Sequence, residues 1–89
     1  MESRPVKQMA YAEAAFQAAT LAGAEANLQA NAVYQLARDQ LARARSFYRL
    51  KNFKQARIYA VKARRLSEEA EWRTLRANSG SQEAESLIK

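Results

Sequence analysis

Tyr34, Ala37, Leu41, Ala44 and Tyr48 recur at alternating gaps of three and four residues, with mostly polar side chains between them. Downstream, Ala56, Ala60, Ala63, Ser67, Ala70, Thr74 and Ala77 repeat that spacing. Such gaps keep one stripe of an α-helix facing one neighbour. The pattern predicts helices over residues 32–50 and 53–77, separated at Lys51-Asn52. Tyrosine and leucine line the first stripe and alanine the second, so large side chains fill the space that small ones leave. The two segments therefore read as an antiparallel helical hairpin. Its turn has a local cause, because Asn52 can cap the second arm and Gln55 stands where a capping box takes Glu or Gln.

Upstream, Met9, Ala12, Phe16 and Ala19 mark the buried stripe of a further helix over residues 5–22, with Ser3 as candidate N-cap and Pro5 in its first turn. This alanine-rich helix has high propensity and little to bury, so it needs a partner. Gly23 is the natural stop, since glycine takes the left-handed conformation that ends a helix, and Asn27 or Asn31 can cap the next one. The other reading is a helix continuous through Gly23, which would pack on a second copy as a helix-swapped dimer. In the folded-back reading the first helix docks on the more apolar groove, formed by Tyr59 and Leu66 with Val33, Leu36 and Phe47. Asn78-Ser79-Gly80-Ser81 carries turn-forming residues that predict the end of the third helix. The expected organisation is an all-α, three-helix domain over residues 1–80 and a flexible polar tail over residues 81–89.

Composition narrows the function classes. The 89 residues hold two glycines, one proline, no cysteine and no histidine, so disulfides, thiolate metal sites and the usual general base are all missing. The acidic side chains Glu13, Asp39, Glu68, Glu69 and Glu71 suit exposed helix faces, and Glu69 with Arg73 has the spacing of an ordinary helix pair. There is no glycine-rich phosphate loop, nucleophile–base pair or metal-ligand spacing. Tyr34, Tyr48, Phe47 and Phe53 read as core and turn packing. The expectation is a protein that is not an enzyme and carries no cofactor. No apolar run is long enough to span a bilayer.

Charge is unevenly placed. The net +6 is made up of −1 over residues 1–33, +9 over residues 34–65 and −2 over residues 66–89. Arg38, Arg45 and Arg49 fall on one flank of the second helix, and Arg57 and Arg64 are similarly placed on the third. Such rows can hold phosphates, anionic lipid or an acidic partner, and they also serve simply to keep an alanine-rich helix soluble. No aromatic residues interleave with them to stack bases, which argues against nucleic acid. A second candidate surface lies opposite the alanine stripe, where Ile58, Val61, Trp72 and Leu75 share the outer face of the third helix. An apolar row there is unexpected unless something covers it, and tryptophan beside arginine is a frequent interface composition.

Residues 34–66 resemble one tetratricopeptide unit. Ala44, Phe47, Phe53, Ala56 and Ala63 fall on its small and aromatic positions, and Asn52-Phe53-Lys54-Gln55-Ala56 matches its turn. Arg43 stands where leucine is usual and Glu68 where proline is usual, and no second copy follows. A wider resemblance covers residues 6–77, through Ala12-Glu13-Ala14-Ala15, Ala22-Gly23-Ala24, Leu36-Ala37-Arg38, Leu41-Ala42-Arg43-Ala44 and Asn52 to Arg57. That order is similar to a bacterial envelope lipoprotein domain, the domain of unknown function numbered 4398. The family often precedes a peptidoglycan-binding domain of the OmpA type. The resemblance implies a periplasmic module held at the outer membrane by a lipid anchor, although the acylated cysteine and the OmpA-type domain are not in this sequence. It carries no established binding residues to these positions.

Together these readings predict a non-catalytic interaction or structural module of a cell-envelope assembly. Its partner is a protein, either a second copy or a peptidoglycan-associated OmpA-type protein. The alternative is a basic helical module that binds nucleic acid or an anionic surface, cytoplasmic if the resemblance fails.

Overall fold

The computed structural model describes the backbone of residues 3–88 and the side chains of residues 3–79. Helix α1 spans Val6–Ala22, α2 spans Asn31–Arg49 and α3 spans Phe53–Ile88, with a short 3-10 turn at Ala24–Ala26. No strand occurs among the described residues. Leu41 and Ala44 of α2 meet Ala60 and Ala63 of α3, and Tyr34 meets Ala70, so α2 and α3 form the expected antiparallel hairpin. Ala12 lies against Ala60 and Ala63, and Ala19 against Ala70, so α1 runs parallel to α3. All three helices contribute to one rod of 61 × 19 × 15 Å.

The periodic stripes are the core. Ala37, Leu41 and Ala44 on α2, and Ala56, Ala60, Ala63, Ser67, Ala70 and Thr74 on α3, are all closed to solvent. Alanine at these positions lets helix backbones approach closely, and Leu41 is the largest fully buried side chain. Thr74 returns its hydroxyl to the Ala70 carbonyl at 2.8 Å, which satisfies a buried polar group within its own helix. Tyr34 stacks on Phe16 with ring centroids 4.9 Å apart, and its hydroxyl lies 2.8 Å from Thr20 Oγ1. The Thr20 hydroxyl donates its only proton to the Phe16 carbonyl at 3.0 Å, so Tyr34 is the donor in that pair.

The connections follow local chemistry. Gly23 ends α1 in the left-handed conformation (φ 92°), its N–H donating to the Ala19 and Thr20 carbonyls. The continuous-helix alternative is thereby removed, and α1 folds back on its own hairpin. Asn27 closes the turn that leads into α2, its Oδ1 accepting from the N–H groups of Gln29 at 2.9 Å and Ala30 at 3.1 Å. Helix α2 itself starts from Ala30 with no side-chain cap, so neither Asn27 nor Asn31 caps it as expected. Between α2 and α3, Lys51 sits at φ 62°. Asn52 N–H donates to the Phe47 carbonyl at 2.9 Å and Lys51 N–H to Tyr48 at 3.1 Å, a Schellman ending with lysine where glycine is usual. Asn52 Oδ1 then accepts from Gln55 N–H at 3.4 Å. The Asn52 N–H is already committed to Phe47, so the capping box is only half formed. Lys51→Gly should remove the left-handed strain and stabilise the fold by about 0.5–1 kcal/mol in urea unfolding. A loss of stability would show that the lysine side chain supports the turn.

Three further expectations are corrected. Ser3 does not cap α1. The chain enters through an inverse turn at Pro5 (φ −80°, ψ 58°), with Val6 N–H on the Arg4 carbonyl at 2.9 Å, and no side chain caps the helix. Helix α3 does not stop at Ala77 but runs to Ile88. Asn78 to Ser81 includes no proline, each residue there costs about 1 kcal/mol or less in a helix, and good helix formers follow. The flexible tail expected over residues 81–89 falls outside the residues whose side chains are described.

The third correction concerns where α1 docks. It does not take the Tyr59, Leu66, Val33, Leu36 and Phe47 groove. It lies on the opposite flank, where Glu13 reaches Arg45 of α2 and Tyr11 lies under Arg64 of α3. The reason is size. Phe47 and Tyr59 stack on each other at 5.5 Å and fill their own groove, whereas the alanine-lined flank admits a helix of small residues at close range. Leu36 is left 53% exposed.

Candidate interaction surface

The outer face of α3 carries the apolar row. Trp72 and Leu75 are each 53% exposed and Ile58 39%, while Val61 is half-buried. Val61 lines a cleft of about 350 Å³ where α1 meets α3, together with Gln8, Tyr11 and Arg64. The helix period puts all four on the side of α3 away from its alanine seam. Arg65 and Glu68 interrupt the row, so it forms two apolar patches, Ile58 with Val61 and Trp72 with Leu75. The Arg76 guanidinium lies over the Trp72 ring, 5.0 Å from its centroid. Trp72 thus presents one ring face to a cation and keeps half its surface open.

The arginine row divides into three groups. Arg45 grips Glu13 through two bonds of 2.6 Å, Nε to Oε1 and Nη2 to Oε2, and ties α2 to α1. This hydrogen bond pushes the Arg45 pKa up from its already high value, with burial opposing, so the guanidinium stays charged. Arg64 holds Glu68 at 2.8 Å and stacks over Tyr11 at 5.0 Å. These two arginines position α1. Arg57 is half-buried, and its Nε is enclosed without a hydrogen-bond partner. Arg38 and Arg49 are exposed, Arg38 midway along α2 and Arg49 at its C-terminal end. The five do not converge on one point, and the bundle uses part of the row for itself.

A feature not foreseen from the sequence lies at the end of the bundle that holds the α2–α3 turn. Arg4 stacks over Phe53 at 6.0 Å, which brings the start of α1 beside the start of α3. Arg4, Lys7, Arg49, Lys51 and Lys54 are all exposed there, as is Leu50 at the turn itself. The signal that could have found it is Leu50 flanked by Arg49 and Lys51 at a predicted break, where an apolar side chain has no helix face to join. Among the described residues no group of three or more acidic side chains is placed to hold a metal. No described helix is long and apolar enough to cross a membrane. Comparison with protein-family models, curated proteins and solved structures found no match.

Proposed function

We propose that the chain is a non-catalytic interaction module of a bacterial cell-envelope assembly, which binds protein through the outer face of α3. The observation that carries the reading is the pair Trp72 and Leu75, half-exposed on a helix whose opposite face already forms the core. A large apolar side chain yields about 1.5–3 kcal/mol when fully buried, and these two have roughly half of that still to gain. Helix α3 also runs past Gly23 and Asn31, where its neighbours end and begin, and a helical extension of that kind gains from a partner.

The envelope setting, a periplasmic location and an OmpA-type neighbour rest on the resemblance of residues 6–77 to the lipoprotein domain, and the hairpin-as-adaptor reading on the tetratricopeptide-like turn. The basic-module alternative draws on the positive middle of the chain. Its nucleic-acid form is weakened by the use of Arg45 and Arg64 to hold α1.

The simplest occupant of the α3 face is a second copy. Association costs offset much of the burial, so the contact is weak and concentration-dependent. Sedimentation over a concentration series should show the mass rising as Trp72 emission shifts to the blue, and Trp72→Ala should abolish the rise. A strict monomer with water-exposed Trp72 at every concentration removes self-association. Recovery of the full-length protein in the cytosol on fractionation removes the envelope setting.

A further inference from the structure

We propose that the turn end of the bundle docks on an anionic lipid bilayer, with Leu50 entering the headgroup layer inside a collar formed by Arg4, Lys7, Arg49, Lys51 and Lys54. Leu50 is 73% exposed at the tip of the hairpin, and Val6 is exposed in the first turn of α1 at the same end. A lone exposed leucine is unremarkable, but here it stands between two cations on a turn that Lys51 closes in the left-handed conformation. None of the five collar cations pairs with a carboxylate among the described residues. Going back from the tip, the first carboxylate on α1 is Glu13, held by Arg45, and α3 has none before Glu68. The remaining ion pairs, Asp39 with Arg43, Glu68 with Arg64 and Glu69 with Arg73, all lie further from the tip. Among the described residues, the end is therefore a field of one sign around an apolar point.

That combination fits a membrane surface better than a nucleic acid. Clustered lysine and arginine near an anionic bilayer gain about fivefold in affinity per cation, and an apolar side chain adds to this only where it can leave water. A nucleic acid would offer Leu50 nothing. The aromatic side chains nearest the tip, Tyr48 and Phe53, pack edge to face on each other at 5.7 Å and are half-buried, so they are not free to stack bases. The blunt 19 × 15 Å cross-section of the rod also suits a flat surface more than a groove. Long basic side chains can lie along the interface with their charges among the headgroups while Leu50 goes deeper.

The test is flotation of the purified chain with vesicles of phosphatidylcholine alone and with vesicles in which about a third of the lipid is phosphatidylglycerol. Binding is expected only to the second, and should weaken steeply as salt rises. The triple variant Arg49→Gln/Lys51→Gly/Lys54→Gln should lose about a hundredfold in affinity at low salt, from about fivefold per cation. Arg65→Gln/Arg76→Gln, which removes charge far from the tip, should lose much less. Leu50→Gln should weaken vesicle binding severalfold while leaving binding to a single-stranded RNA oligomer unchanged. Circular dichroism confirms that each variant folds. Equal binding to both vesicle types, equal losses from the tip and distal variants, or no effect of Leu50→Gln would overturn the proposal. Tighter binding to the RNA than to the anionic vesicles would overturn it in favour of a nucleic-acid site. Trp72→Ala should not change vesicle binding, so this proposal and the α3 interface fail separately.

Discussion

Leu41→Ala should cost about 2–5 kcal/mol, the range for deleting a fully buried leucine side chain. Leu41 is 1% exposed and sits in a cluster whose other closed members, Ala12, Ala44, Ala60 and Ala63, are all alanines. Those alanines have no rotamers with which to fill the gap, so relaxation falls to the partly buried Met9, Phe16 and Tyr59 that pack on the cluster, or to shifts of whole helices. How far these three side chains can move in sets where in the range the loss falls. A domain of this size has total stability of about 5–10 kcal/mol, so the variant approaches the unfolding threshold at room temperature. Its melting temperature should fall by about 10 °C or more. Urea unfolding followed by circular dichroism reads both. Leu50→Ala, the same chemistry at an exposed site, serves as control and should change stability by less than about 0.5 kcal/mol. Similar losses at the two sites would mean that the seam is not where the bundle holds its stability.

The hairpin was legible in the sequence because its signals are local and mutually consistent. The three-and-four spacing names the buried face, and Asn52 and Gly23 mark breaks by mechanisms that need no tertiary information. The docking of α1 was not legible, because apolarity alone favours the groove that α1 does not take. What decides between the two grooves is the volume already filled. The Phe47–Tyr59 stack occupies one groove, and the alanines of α2 and α3 leave the other open to Ala12 and Ala19. The arginine row was visible as a pattern, but the division of labour within it depends on that docking. Arg45 and Arg64 became internal partners of Glu13 and Tyr11 only when α1 took their flank. The tip cluster was hidden for a related reason. Arg4 and Lys7 lie more than forty residues from Arg49 to Lys54 in sequence, and only the parallel run of α1 and α3 brings them to one end.

The two proposed surfaces stand apart on the rod. Trp72 lies 19 residues along α3 from Phe53, or about 28 Å at 1.5 Å per residue. A bundle seated on a bilayer by its turn would hold the Trp72 patch clear of the headgroups, with α3 extending further still. Lipid and protein would then be bound at once without competing for the same residues.

Ala60→Leu tests the close approach on which the fold depends. Ala60 is closed to solvent and faces both neighbours, Ala12 of α1 and Leu41 with Ala44 of α2. Three additional carbons must fit between these helices beside the cleft that Ala60 borders with Tyr11 and Val61, and overpacking of that kind costs about 1–3 kcal/mol. The hairpin is the stiffer half, since a tight capped turn joins α2 to α3. Helix α1 is held more weakly, by two buried alanines, the Phe16–Tyr34 stack, the Tyr34–Thr20 hydrogen bond, the Arg64 contact with Tyr11 and one partly exposed ion pair of the kind worth about 1 kcal/mol or less. Strain at Ala60 should therefore be relieved by displacing α1 rather than by opening the hairpin. Hydrogen exchange should speed up across residues 6–22 while residues 34–48 and 56–70 keep their protection. Proteolysis should become faster in the connection between Gly23 and Ala30. Val61→Leu, one position further round α3 and half-buried, should change stability by less than about 0.5 kcal/mol. An Ala60→Leu protein as stable as the parent would place the seam on the wrong face. A uniform loss of protection over all three helices would show that α1 and the hairpin unfold as one unit.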